Sequence, residues 1–161
     1  MQKQDTRERR AKAVFKEFCA ALDEIDWKYE KDESNLTISS GAQGDDLPMK
    51  FRIRILVEKE VISFSSWMPF VIPEDKRVDL ALAICAANYG LCQGSFDMDL
   101  SDGSILFRLT DCYTECEGLS RELYREMVGI ATHTIDDYND KFFAISKGMM
   151  TVQEFIKREN S

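Results

Sequence analysis

The segment from Gly94 to Thr110, GSFDMDLSDGSILFRLT, predicts the turn, register and buried face of a β-hairpin together. Asp102-Gly103 is a favoured two-residue hairpin turn, because both of its residues tolerate a positive φ. Counting outwards from this turn pairs six apolar side chains on one face: Leu100 with Ile105, Met98 with Phe107, and Phe96 with Leu109. The opposite face pairs Asp97 with Arg108, since strand side chains alternate.

The length and composition of the chain predict one globular domain. The chain has 161 residues, 44% of them hydrophobic and 31% charged, which is enough to bury a core. We expect this domain to span 1–161, with a core at about 6–148 and a variable tail at 149–161. No apolar run approaches the roughly 18 residues that a membrane span needs. The first residues contain no apolar stretch typical of a signal peptide, so we expect a cytoplasmic protein.

The charge balance disfavours nucleic acid as a partner. The net charge is −8, whereas nucleic-acid binders gain affinity by neutralising phosphates. One basic cluster runs against this trend: Arg7, Arg9, Arg10 and Lys12. We interpret it as the solvated side of a helix.

Apolar periodicity predicts helices at about Thr6–Ile25, from Pro73, from Ser120 to about Lys147 and at about Thr151–Arg158. Four candidate strands lie between the first two helices: Trp27–Tyr29, Leu36–Ser40, Lys50–Glu58 and Val61–Trp67. Short connections join most of these strands, as they do the two strands of the hairpin. The longest loop signal is Gly41 to Pro48. This layout predicts an α+β fold, with helices packed on one face of a largely antiparallel sheet.

Two further expectations concern the middle of the chain. A tight turn at Lys59-Glu60 would place Val57 opposite Ile62 and Ile55 opposite Phe64. The same register puts Arg52 across from Trp67 on the outer face, where the guanidinium could lie over the indole. The second helix is apolar nearly all round from Leu80 to Ala87, which predicts a buried helix ended by a left-handed Gly90.

The alternating acidic residues of the hairpin match the first ligand positions of a calcium-binding loop, but the later ligand positions do not match. Asp97, Asp99 and Ser101 match the first three oxygen ligands of an EF-hand. Asp102 then stands where the sharp turn needs glycine, and Arg108 stands where the bidentate glutamate should be. We therefore interpret the two aspartates as the outward face of a strand.

The cysteines and the single histidine do not form a recognisable site. Cys112 and Cys116 could supply two zinc ligands, whereas a structural site needs four. Cys19 and Cys85 lie on apolar helical stripes and should behave as small hydrophobic residues. His133 is expected on a helix surface, without a nucleophile motif. We expect no catalytic residue, cofactor or metal.

One apolar segment, Trp67 to Pro73, could contact a partner. It is dense in large side chains, and its prolines disfavour a central strand. It could instead pack over the second helix as an edge of the core. The candidate partner-binding residues are Arg52, Trp67, Met68 and Phe70.

The second helix and the hairpin resemble the YbjN family of small bacterial proteins over about Pro73 to Gly148. The residues that carry the resemblance come in two groups. The first is Asn88, Gly94-Ser95-Phe96, Asp102-Gly103 and Phe107-Arg108, and the second is Leu119-Ser120, Leu123, Asp136, Tyr138 and Gly148. Asn88 is interpreted here as a helix-end residue that bonds local backbone.

The resemblance implies a fold like that of type III secretion chaperones, in the order α-β-β-β-α-β-β-α, and a homodimer. Family members are often labelled sensory transduction regulators, and no catalytic residue set accompanies the family. The leading hypothesis is a cytoplasmic, non-enzymatic protein-binding module with a regulatory or chaperone-like role. The alternatives are a dedicated type III secretion chaperone with an export substrate, and a small-molecule-binding or enzymatic domain.

Overall fold

The computed structural model describes residues 2–115 and 119–159 and shows an α+β fold. Its elements follow in this order: α1 Gln2–Asp23, β1 Tyr29–Asp32, β2 Thr37–Gln43, β3 Pro48–Leu56, β4 Val61–Val71, a 3-10 turn Glu74–Lys76, α2 Arg77–Gly90, β5 Ser95–Met98, β6 Ser104–Cys112, α3 Arg121–Ser146 and α4 Val152–Glu159. The predicted class and order are confirmed. A fourth strand, β1, precedes the second helix and begins where the predicted Trp27–Tyr29 strand ends, and the predicted tail helix is α4.

The six strands form one antiparallel sheet in the order β1-β2-β3-β4-β6-β5. Strict alternation along β3 separates the two faces, since Phe51 and Ile53 are buried while Arg52 and Arg54 are exposed. Helices α1 and α3 pack over the buried face. Strand β2 continues through Gly41 to Gln43, so the loop predicted from Gly41 is shorter than expected.

The β5–β6 hairpin has the predicted buried face but a different register. Phe96 pairs with Phe107, and Met98 pairs with Ile105, so the predicted pairing is wrong by two residues. The turn is a four-residue loop, which the Asp99 N–H closes on the Ser104 carbonyl at 3.0 Å. The Asp99 carboxylate accepts from the Ser101 N–H at 2.8 Å and stabilises this longer turn. An even shift leaves the side chains of the two strands on their predicted faces. Leu100 is the exception, since it lies in the loop and is 62% accessible instead of buried opposite Ile105.

The β3–β4 hairpin also differs from its predicted register by two residues. Ile55 pairs with Ile62, two residues from the predicted register, and Arg52 lies opposite Ser65 instead of Trp67. A two-residue turn at Lys59-Glu60 would need both residues in backbone regions that favour glycine or asparagine. The observed four-residue loop places Glu60 alone at a positive φ of 51°.

The basic cluster of α1 is not simply solvated, which corrects the expectation. The Arg10 guanidinium lies 2.5 Å from the Glu60 carboxylate, and Arg7 lies 3.5 Å from it. Glu60 is buried, and its carbonyl accepts from the Tyr113 N–H at 3.0 Å. These contacts attach the first turns of α1 to the β3–β4 loop.

Helix α2 is buried on one side only, so the prediction of a helix buried all round is wrong for a single chain. Leu80, Ala83 and Ala87 are fully buried against the rest of the domain. The opposite side exposes an apolar stripe with the spacing i, i+4, i+7 and i+11: Val78, Leu82, Cys85 and Tyr89. Gly90 is the last helical residue, without the predicted left-handed conformation.

The C-terminal helices close the core. Ser120 caps α3 by accepting from the Leu123 N–H, as predicted, and Gly148 follows the helix with a φ of 70°. Phe155 of α4 is fully buried and lies 5.9 Å from the Phe142 ring. Helix α4 therefore packs on the domain through Phe155, as the tail-helix prediction anticipated.

Candidate protein-binding face

The outer face of the sheet carries a line of cations along β3. Lys50, Arg52 and Arg54 occupy successive outward positions and are exposed. Within 2–115 and 119–159, none of these three side chains forms an ion pair. The strands beside β3 present small residues at the opposing positions, since Arg52 lies between Ser39 and Ser65. The charged groups therefore project beyond the short side chains of the neighbouring strands.

Trp67 is the largest exposed side chain on this face. It projects from β4 with 47% of its surface accessible, and it lies opposite Leu106 of β6. Together with Lys50 and Arg52 it borders a groove of about 670 Å³ that extends across β1 and β2. We call this the Trp67 groove. An indole beside unpaired cations can bind both apolar and anionic groups of a partner.

A second depression lies on the other side of Trp67. Its volume is about 580 Å³, and its lining includes Leu100, Leu106 and Arg108. Arg108 already bonds the Asp97 carboxylate across the hairpin, which leaves this side less basic than the first. Trp67 borders both depressions and so stands at the centre of the outer face.

An interruption in the sheet accompanies Trp67. The β3–β4 ladder ends at the pair Phe51–Ser66, where the Ser66 hydroxyl donates to the Lys50 carbonyl at 2.9 Å. The pairing of β4 with β6 also shifts register between Trp67 and Val71. Pro69 lies within this irregular stretch and has no N–H to offer a neighbouring strand.

The four candidate partner-binding residues are divided between the two faces. Arg52 and Trp67 line the same groove, although they are not directly opposed. Met68 points inwards and is buried, and the ring of Phe70 packs against Phe143 at 5.3 Å. The period of two along β4 separates Trp67 from Met68 and Phe70, and this alternation was the signal available in the sequence.

The candidate residues left out three members of this face, Lys50, Arg54 and Leu106, although the alternation of β3 predicts that Arg54 points the same way as Arg52. The alternation of β3 was sufficient to place Lys50 and Arg54 beside Arg52. Leu106 could not be placed in the same way, because its position opposite Trp67 depends on pairing between strands that are distant in the chain.

The residues considered as metal ligands or catalytic groups do not come together in the structure. Asp99 is bonded to Ser101, and His133 is exposed on α3, 3.4 Å from Asp137. Cys112 is exposed, while Cys116 lies outside the described residues. In the part of the chain that the structure describes, no three His, Cys, Asp or Glu side chains lie together as a metal site would require. No helix there is long and apolar enough to cross a membrane.

One family profile and two solved structures resemble this chain. The profile of the YbjN family, described as "Putative bacterial sensory transduction regulator", matches residues 15–144. The crystal structure of YbjN from E. coli, titled "a putative transcription regulator", superposes with a TM-score of 0.55 at 14% identity, covering 76% of this chain and 88% of that one.

The crystal structure of the ExsC-ExsE complex gives a TM-score of 0.55 at 11% identity, covering 78% of this chain and 90% of that one. Comparison with curated proteins gives no match. The two structural likenesses show the fold, and the profile spans most of the chain. The chain therefore belongs to the YbjN family.

Proposed function

We propose that this chain is a non-enzymatic protein-binding module with a regulatory or chaperone-like role in bacteria. The observation that carries the proposal is the Trp67 groove, in which a half-exposed indole stands beside Lys50 and Arg52. In a chain of net charge −8, unpaired cations on an open sheet face favour an acidic partner segment. Aromatic and arginine side chains are also the residues that most often dominate binding energy at interfaces.

The partner chemistry follows from the shape of this face. The groove is shallow and crosses several strands, which suits an extended segment better than a compact domain. Carboxylates of such a segment would meet Arg52, and an apolar side chain would pack on Trp67. The partner is thus a protein with an extended, acidic and partly apolar stretch.

A dedicated secretion chaperone is the second candidate. The fold shared with ExsC, in a complex with ExsE, favours it. This candidate requires that the client be an export substrate whose N-terminal segment wraps the protein. The two candidates differ in the client, since a regulatory partner need not be exported.

We also propose that the protein is a homodimer. Support comes from the exposed stripe on α2, where Leu82 is 52% and Tyr89 is 92% accessible in the single chain. Four apolar positions in a row on one helix are unusual on a solvated surface and typical of an interface. A reducing, cytoplasmic location suits the exposed free cysteines of the described residues, Cys85, Cys92 and Cys112.

The test of partner binding is affinity capture with face variants. Immobilised wild-type protein should retain a stoichiometric partner from native extract, and Arg52→Glu or Trp67→Ser should lose it. Lys59→Glu is the matched control, because it reverses a charge in the β3–β4 loop, away from the groove. Capture of no stoichiometric partner over several growth conditions, or equal capture by all variants, contradicts the proposal. Binding by the isolated N-terminal segment of an exported partner would favour the secretion chaperone.

A further inference from the structure

We propose that the cleft between α1 and the β1–β2 hairpin is a separate binding site for a small anionic amphiphile. The cleft lies under the Asp32–Asn35 turn, and its lining does not include Arg52 or Trp67. Its volume is about 410 Å³. Small-molecule sites span about 300–1,000 Å³, so the cleft has the size of a ligand site.

The floor of the cleft is apolar. Phe15 and Cys19 come from one side of α1, and Leu36 comes from the start of β2. All three side chains are buried among the core residues but keep an edge towards the cleft. Burial raises the pKa of the Cys19 thiol, which therefore stays neutral and adds no charge to the floor. Such a floor accepts an alkyl or aryl body.

The rim of the cleft is cationic. Lys12 and Lys16 stand one helical turn apart on α1, and Lys31 faces them from β1. Lys31 pairs with Glu33 at 2.7 Å. Across the described ranges, neither Lys12 nor Lys16 has an acidic partner. Three ammonium groups line the rim against the carboxylate of Glu33 and that of nearby Asp23, which is bonded to the Tyr29 hydroxyl, so the rim is positive in an acidic protein.

The combination defines the ligand class. An unpaired pair of lysines above an apolar floor is complementary to a carboxylate or phosphate head joined to an apolar body. A purely ionic ligand would leave the floor solvated, and a neutral apolar ligand would leave the lysines without partners. Each half of the site therefore selects one half of an amphiphile.

Site-resolved alkylation tests this site, because Cys19 lies on its floor. Iodoacetamide is applied to the full chain at about pH 9, where the raised pKa of Cys19 still leaves a fraction of reactive thiolate. The rate at each cysteine is followed by mass spectrometry with octyl phosphate or octanoate present below the micelle concentration. We expect either probe, at a concentration above its dissociation constant, to slow modification of Cys19 at least about fivefold. A fivefold change in rate corresponds to about 1 kcal/mol of stabilisation of the closed, ligand-bound state. The exposed Cys85, Cys92 and Cys112 serve as internal controls and should react at unchanged rates.

Two comparisons complete the experiment. Replacing both rim lysines, Lys12→Gln with Lys16→Gln, should raise the half-protecting concentration about fivefold, since each exposed charge contact contributes up to about 1 kcal/mol. Lys59→Gln with Lys76→Gln removes the same charge away from both the cleft and the Trp67 groove, and it should leave the half-protecting concentration unchanged. Equal protection by neutral octyl glucoside, no protection at saturation, or insensitivity to the rim lysines would overturn the proposal. Cosedimentation with phosphatidylglycerol vesicles that needs Lys12 and Lys16 would assign the cations to a membrane surface instead and would also overturn it.

Discussion

The Asn88 side chain and the Phe96 backbone form a two-way hydrogen-bonded pair that closes one edge of the sheet. The amide nitrogen of Asn88 donates to the Phe96 carbonyl at 2.9 Å, and its oxygen accepts from the Phe96 N–H at 2.8 Å. A side chain of α2 thus takes the place of a neighbouring strand along β5. Open strand edges invite pairing with other chains, so this contact protects the edge as well as attaching the helix.

Asn88→Asp should keep one of these two hydrogen bonds and remove the other. A carboxylate can still accept from the Phe96 N–H, but it cannot donate, and its charge faces the Phe96 carbonyl. We expect a loss of about 1–3 kcal/mol in the free energy of unfolding, measured by urea denaturation at neutral pH. Gln153→Glu is the matched amide-to-acid control at an exposed position of α4. Equal stability of the two variants would contradict the role assigned to Asn88.

Substitutions at Phe107 and Asp97 should have very different effects on folding stability, although both residues lie in the same hairpin. Phe107 is fully buried and lies 5.0 Å from the Phe96 ring, so Phe107→Ala should cost about 3–5 kcal/mol of stability. Asp97 pairs with Arg108 on the solvated face, and Asp97→Asn should cost less than about 1 kcal/mol. Thermal and urea unfolding measure both. Loss of partner binding in Asp97→Asn with unchanged stability would instead give this carboxylate a functional role.

The two hairpins show what could be predicted from the sequence. Alternation alone predicts which side chains of Gly94–Thr110 face the core, and that prediction is confirmed for Phe96 and Phe107. The register was wrong by two residues in both hairpins, because it depends on how side chains such as Asp99 bond the loop backbone. The outer face needed more than local pattern, because the contact of Trp67 with Leu106 joins strands far apart in the chain.

The burial of α2 could not be predicted for a different reason. A helix that is apolar on all sides is expected to have most of its surface buried. The pattern does not indicate whether the same chain or a second molecule buries that surface. Leu80 and Ala87 are covered by this chain, whereas Leu82 and Tyr89 are not. The same pattern is therefore consistent with a buried helix in a larger core and with a helix at an interface.

Glu60 should contribute to stability through α1. Its buried carboxylate lies between Arg7 and Arg10. Among the described residues, Glu60→Gln would leave Arg10 without a carboxylate partner and Arg7 with only the exposed Glu58. We expect a loss of about 1–3 kcal/mol in the free energy of unfolding. Glu58→Gln is the matched control, since Glu58 lies 3.6 Å from Arg7 but is exposed, and its loss should be about 0.5 kcal/mol or less. A larger effect at Glu58 than at Glu60 would refute the assignment.

Asp32 should make the β1–β2 turn sensitive to acid. Hydrogen bonds from the Asn35 and Ser34 side chains and backbone lower the pKa of Asp32 to about 2 from an ordinary value of 3.8. Because the folded-state pKa is depressed, the stabilisation is present above about pH 4 and is lost as the pH falls towards 2. Wild type and Asp32→Asn should therefore differ in urea midpoint at pH 6 and converge near pH 2. A difference that persists unchanged at pH 2 would show that the charge is not responsible.

Leu82→Glu should separate the proposed dimer into monomers. Leu82 lies in the middle of the exposed stripe of α2, and a carboxylate there would be buried without a partner between two copies of the helix. Light scattering at micromolar concentration should give the wild type a mass near twice 18.5 kDa and the variant a mass near 18.5 kDa. Leu100→Glu is the matched control, because Leu100 is also exposed but lies in the β5–β6 loop, and this variant should remain dimeric. A wild-type mass of 18.5 kDa, or a dimer that survives Leu82→Glu, would remove the stripe as an interface between copies of this chain.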